Sequence, residues 1–145
     1  MIYVDMCKYK SIKKTNTLLE LGKNSSKFPT NDHLMVSTDN LNDFKSGPGY
    51  ENIQIKSLIS DKNGYRSYCI IEKGNIEYPH YHNGRYELFV ISGKLMYKNL
   101  ETNEEFILKK GDYYCNPPNL PHMSICIEKS EVLWIYNKEP DCQCL

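Results

Sequence analysis

From Ile53 onward the chain is a succession of short apolar–polar alternations cut by Gly, Asn and Pro. Ile53 to Ile59 mostly alternates, and Asp61-Lys62-Asn63-Gly64 follows it. Asn-Gly supplies the positive φ angles of a tight hairpin, so Tyr65 to Ile71 is the predicted return strand. Lys73-Gly74-Asn75 turns again, Glu77 to His82 is the next strand, and Asn83-Gly84 is a second hairpin signal. Tyr86 to Ile91 is β-rich and is broken by Ser92-Gly93, while Lys94 to Leu100 runs to a polar turn at Glu101-Thr102-Asn103. Glu105 to Leu108, Tyr113 to Cys115, Pro121 to Ile127 and Val132 to Tyr136 complete the series. Strands at this spacing predict an all-β antiparallel sandwich or barrel, with no ordinary helix after residue 46 and no internal repeat.

The first part of the chain has another texture. Residues 1–46 are rich in Asn, Lys, Ser and Thr, with apolar residues in small clusters. Thr17 to Leu21, closed by Gly22, fits a helical turn or a short strand, and Leu34-Met35-Val36 fits an edge strand. The predicted organisation is an N-terminal arm over 1–46, a strand domain over 47–138 and a tail over 139–145. The arm either packs across the strand domain or exchanges with a neighbouring subunit.

Composition narrows the function classes. A chain of 145 residues fits one domain and can bury a core without disulfides. The formal net charge is +0 with acids and bases interspersed, which argues against a nucleic-acid or membrane-surface partner. No apolar run spans a bilayer, and the early Asp5 without an apolar core after it argues against a secretory signal. The expected location is therefore cytoplasmic, with Cys7, Cys69, Cys115, Cys126, Cys142 and Cys144 reduced. Cys142-Gln143-Cys144-Leu145 formally fits a prenylation signal, but Gln143 is polar where an aliphatic residue belongs and no basic run precedes it. It reads as a frayed tail with spare thiols.

The histidines carry the chemistry. Of the 4 in the chain, His80 and His82 form an H-x-H triplet and His122 follows Asn-Pro-Pro-Asn-Leu-Pro. Side chains alternate along a strand, so His80 and His82 share a face. A third imidazole from another strand completes a three-nitrogen cap on a metal, with positions left open for water or substrate. His33 lies outside the pattern and reads as a surface residue.

The spacing around these histidines resembles the two motifs of the cupin superfamily. Gly74, five residues, His80-Tyr81-His82, four residues, Glu87, five residues and Gly93 parallel the first motif. Gly111, five residues, Pro117-Pro118-Asn119, two residues, His122, three residues and Cys126 parallel the second. Gly47-Pro48-Gly49, Leu58 to Gly64 and the Asn-Pro-Pro before His122 look like one cupin branch. That branch holds the metal-binding domain of ChrR-type anti-sigma factors and dioxygenases that cleave acetylacetone and dihydroxyacetophenone. The resemblance implies a double-stranded β-helix, the cupin jelly-roll barrel, with one divalent transition metal per chain. Iron is the first expectation, and zinc, nickel, copper and manganese are the alternatives. It implies a small diketone- or enol-type substrate, a metal-dependent dioxygenase-like enzyme and a homodimer. A non-catalytic metal- or ligand-binding sensor cupin is the alternative, although the arm lacks the zinc motif of an anti-sigma domain.

Three departures from the motifs shape the expected site. Counted from Gly93, the glutamate position falls on Tyr86 rather than Glu87. Either Glu87 reaches the metal through a bulge, or three histidines hold it and Tyr86 lines the site. Asn119 replaces a glycine, which Asn tolerates because it adopts left-handed backbone angles. Cys126 replaces an asparagine on the face of His122 and Ser124, where it lines the pocket or fills the core. Arg66 and Tyr68 are candidate pocket residues, Arg66 as an anion anchor, although alternation equally allows both to face solvent. Tyr65, Tyr97, Tyr113, Tyr114 and Trp134 are further wall candidates.

Overall fold

The structure, a computed structural model, describes Phe44 and residues 51–61, 64–137 and 142–144. The expected elements of the arm, Gly47-Pro48-Gly49, and Lys62 and Asn63 of the first hairpin turn lie outside the described residues. All elements among the described residues are strands: β1 (Ile53–Asp61), β2 (Gly64–Ile71), β3 (Ile76–His82), β4 (Tyr86–Asn99), β5 (Glu105–Lys109), β6 (Tyr113–Asn116), β7 (His122–Tyr136) and β8 (Cys142–Cys144). No helix among these residues is long and apolar enough to cross a membrane.

The fold is organised by two long antiparallel strands. β4 and β7 pair from Tyr86↔Tyr136 to Asn99↔His122. The free edge of β7 carries β2 along its second half and β3 along its first. The free edge of β4 carries β6 and then β5. β1 adds to β2, and β8 adds to β3. Every pairing is antiparallel, and the whole is a jelly-roll β fold.

Two predicted breaks prove to be bends. Ser92-Gly93 does not end a strand: β4 continues through it, with register shifts against β7 between Val90 and Leu95. Gly93 takes a φ of 90°, and a Cβ there would lie 2.3 Å from Ser130 Oγ and 2.4 Å from the Lys129 carbonyl. Only glycine lets β7 approach this closely. Ser130 fills the bend, accepting from the Lys94 N–H at 3.0 Å and donating to the Glu128 carbonyl at 2.7 Å. The last two predicted strands are accordingly one, β7.

Asn83-Gly84 does not make a hairpin either. β3 pairs with β7 and β8, and β4 pairs with β5, β6 and β7, so the turn carries the chain between strands that are not neighbours. The tail reading also changes, since Cys142–Cys144 is a strand paired to the histidine stretch, with His82↔Cys142, Tyr81↔Gln143 and His80↔Cys144. The core is aromatic and aliphatic: Tyr65, Tyr86, Tyr97 and Trp134 are fully buried with Ile53, Ile55, Leu88, Leu95 and Val132.

Candidate metal centre

His122 opens β7, where it stands opposite His80 of β3 on one side and Asn99 of β4 on the other. Cross-strand neighbours lie roughly 4.5–5.5 Å apart at Cβ, so the ladder itself brings imidazoles from β3 and β7 together. The ring centroids are 4.3 Å apart for His80 and His122, 4.8 Å for His80 and His82, and 5.3 Å for His82 and His122. All three are buried. One ligating nitrogen from each lies within 4.8 Å of the others, so the cluster could hold a metal ion.

Backbone carbonyls decide which nitrogens face inward. His122 Nδ1 donates to the Leu120 carbonyl at 2.9 Å, and His80 Nδ1 donates to the Tyr78 carbonyl. A carbonyl only accepts, so each neutral ring carries its proton on Nδ1 and its lone pair on Nε2. His122 Nε2 is buried with no hydrogen-bond partner. Burial also pushes the His122 pKa down to about 4, so the ring is neutral near pH 7. An oriented, neutral, orphaned imidazole nitrogen is what a transition metal requires, so the donor set fits.

The turn before His122 is tied to the rest of the centre. Asn119 has a φ of 64°, the left-handed conformation expected where asparagine replaces glycine, and its N–H donates to the His82 carbonyl at 2.7 Å. Asn116, buried at the end of β6, donates to the Pro117 and Leu120 carbonyls at 3.2 Å each. The Leu120 carbonyl that orients His122 is thereby held in place. Asn116 entered the sequence analysis only as the first residue of Asn-Pro-Pro, with no role of its own.

The wall beside the histidines is made of tyrosine. The Tyr86 ring lies 5.4 Å from His82 and stacks on His122 at 6.0 Å and 12°. Tyr97 stacks on His122 at 6.3 Å, and Tyr136, another residue the sequence reading passed over, meets His82 edge-on at 5.1 Å. The Tyr86 and Tyr97 hydroxyls are hydrogen-bonded at 2.8 Å. For Tyr86 burial and then the neighbouring Tyr97, and for Tyr97 burial and then Glu77, raise the phenol pKa well above its ordinary value. Both therefore remain neutral phenols.

Several expected residues sit elsewhere. Glu87 does not join the cluster, because β4 alternates regularly there and turns Tyr86 inward and Glu87 outward. The Glu87 carboxylate accepts from the Tyr113 hydroxyl and from Asn137 Nδ2 at 2.7 Å, with Arg85 at 3.7 Å. The Tyr113 and Asn137 hydrogen bonds hold its pKa below the usual range. Arg66 and Tyr68 lie on the outer side of β2, since the inward positions there are Tyr65, Ser67 and Cys69. Tyr68 donates to the Glu131 carboxylate and packs edge-on against Phe44 at 5.8 Å. Neither lines the pocket. Ser124 does face the interior, with a hydrogen bond to Tyr97. Cys126 is a core thiol at the β4–β7 bend, donating to the Glu128 carbonyl at 2.9 Å. Cys69, Cys115 and Cys126 are free cysteines, and burial raises the pKa of the Cys69 and Cys126 thiols.

Residues 67–136 match the Cupin domain family. Solved structures share the fold. A cupin-like protein from Thermotoga maritima is 25% identical with a TM-score of 0.59, over 79% of this chain and 89% of that one. KdgF from Halomonas sp. is 19% identical with a TM-score of 0.58, over 78% and 94%. An acetylacetone dioxygenase from Acinetobacter johnsonii is 16% identical with a TM-score of 0.60, over 78% of each chain. At 16% and 19% the likeness is one of fold. No curated protein sequence matches significantly.

Proposed function

We propose that this protein is a metal-dependent, dioxygenase-like cupin that holds one iron ion on His80, His82 and His122 and acts on a small diketone- or enol-type substrate. The observation that carries the reading is the convergence of three buried imidazoles, with two Nε2 lone pairs aimed inward by carbonyl contacts at Nδ1. Imidazole-rich sets with open positions suit non-haem iron, as well as zinc, copper and nickel. A likeness in fold to an acetylacetone dioxygenase supports the choice of chemistry.

The metal would act as a Lewis acid toward an enolate oxygen and provide an adjacent position for a second ligand. The protein's own part is to position and to exclude water. Tyr86, Tyr97, Tyr136 and Trp134 form a buried aromatic wall that leaves little room for solvent. Of the paired Tyr86 and Tyr97 hydroxyls one donates to the other, which leaves a single neutral O–H able to donate a hydrogen bond to an anionic oxygen. Phe89 and Tyr113, cross-strand neighbours and 40% and 56% exposed, support a homodimer through the outer face of β4 and β6.

Elemental analysis of the purified protein, with oxygen uptake across a panel of small diketones, tests this reading. Stoichiometric iron and substrate-dependent oxygen consumption are expected. Stoichiometric zinc with no oxygen consumption would sink the dioxygenase and leave a metal-binding cupin. A monomer in light scattering would remove the dimer.

A further inference from the structure

The geometry points to Glu77 as the carboxylate of the metal centre, delivered by β3 ahead of the histidine pair instead of by β4 after it. The inference rests on His80, His82 and His122 holding an ion.

Regular alternation from His82 and His80 would place Tyr78, not Glu77, inside the barrel. The β3–β7 ladder shifts register between Glu77 and His80, at Tyr78-Pro79. Proline removes a ladder donor and is accommodated at such irregularities. The shift turns Glu77 inward together with His80 and His82, and all three are buried. Glu77 stands opposite Ser124, on the inward face of β7 that carries His122.

The carboxylate sits at the metal-facing side of His80. Glu77 Oε2 is 3.6 Å from His80 Nε2, and the Glu77 side chain is only 10% exposed. That separation is too long for a good hydrogen bond. It is close to the spacing of two ligands on one ion: at bonds of about 2.1 Å and angles between octahedral and tetrahedral, neighbouring ligand atoms stand roughly 3.0–3.4 Å apart. The carboxylate therefore stands beside His80, and it would join the three histidine ligand atoms, which lie within 4.8 Å of one another, by moving toward a shared ion.

Charge favours the same assignment. Three neutral imidazoles leave a divalent ion with its whole charge inside an aromatic barrel, where an uncompensated charge is costly. Placing Glu77 on the ion supplies that compensation. Glu87 cannot, because it is engaged on the outer surface by Tyr113, Asn137 and Arg85.

Cobalt(II) titration of the metal-stripped full-length protein tests the assignment, read by the visible d–d absorption and by competition with a chelator. The wild type is expected to bind one cobalt per chain. Glu77→Gln is expected to bind at least tenfold more weakly and with an altered band, while Glu87→Gln matches the wild type. A Glu77→Gln protein that binds within tenfold of the wild type overturns the inference and leaves the three-histidine site standing. A wild type that binds no cobalt overturns both. Near-ultraviolet circular dichroism of the stripped proteins checks folding. If Glu77→Gln does not fold, Glu77→Asp decides: it keeps the charge but withdraws the oxygen, so its band is expected to shift, and an unchanged band refutes ligation.

Discussion

Acid should destabilise the metal-stripped protein through His122 specifically. The ring is fully buried, and burial lowers its pKa from 6.5 to about 4. In the unfolded chain the imidazole takes up a proton near pH 6.5, and in the folded chain only near pH 4. Between those values the unfolded state binds more protons, so stability rises with pH. The contribution is complete above the unfolded value, fades as the pH falls through the window and is gone below the folded value. At 1.36 kcal/mol per pH unit, the gap corresponds to about 3 kcal/mol, a large share of a small domain's stability. Urea melts with chelator present, at pH 7.5 and at pH 4, measure this in the wild type and in His122→Gln, which has nothing to titrate there. The wild type should lose about 3 kcal/mol more than the variant, because contributions from other groups cancel in the comparison. Equal losses would refute the reasoning. The chelator matters because a metal on Nε2 competes with the proton and extends protection to lower pH.

Other perturbations separate structure from site. Gly93→Ala forces a side chain into positive φ and against β7 backbone, so a loss of about 3 kcal/mol or more in chemical denaturation is expected. Glu87→Gln removes a partly exposed pairing with Arg85 and should cost under about 1 kcal/mol, with metal content unchanged by elemental analysis. Tyr86→Phe deletes one buried hydroxyl contact with Tyr97 and should lower stability by about 1 kcal/mol while leaving metal stoichiometry intact. His80→Ala or His82→Ala should abolish stoichiometric metal binding, and retention in either would remove that residue from the ligand set.

Much of the fold was legible because its signals are local. The antiparallel pairing of β1 with β2 up to Asp61↔Gly64, the β-rich runs and the second glycine-proline motif each depend on a few neighbouring residues. What was misread depends on partners far along the chain. Ser92-Gly93 looks like a break because glycine weakens a strand, and only Ser130 and Lys129 of β7 turn it into a bend. Asn83-Gly84 looks like a hairpin because nothing local says that β3 and β4 belong to non-adjacent positions. The histidines were found because H-x-H needs only period 2. Alternation left two frames open on β2, and the structure takes the one that sends Arg66 and Tyr68 outward. Glu77 was missed for the opposite reason: strict period 2 puts it outside, and a single irregularity puts it in.

The placement of Tyr86 and Glu77 can be understood as one arrangement. β4 and β3 flank β7 on opposite edges at His122. A carboxylate can therefore approach that histidine from either strand without any change of fold. On β4 the inward position is occupied by Tyr86, whose ring stacks on His122 and whose hydroxyl is tied to Tyr97. An aromatic ring there closes one side of the centre to water and to a charged ligand alike. The opposite side is then where an anion can sit, and the irregularity at Tyr78-Pro79 brings Glu77 to it. Restoring a glutamate at position 86 while keeping Glu77 would set two carboxylates around one cluster. Their repulsion, together with the loss of the stacked ring, would work against the site rather than repair it.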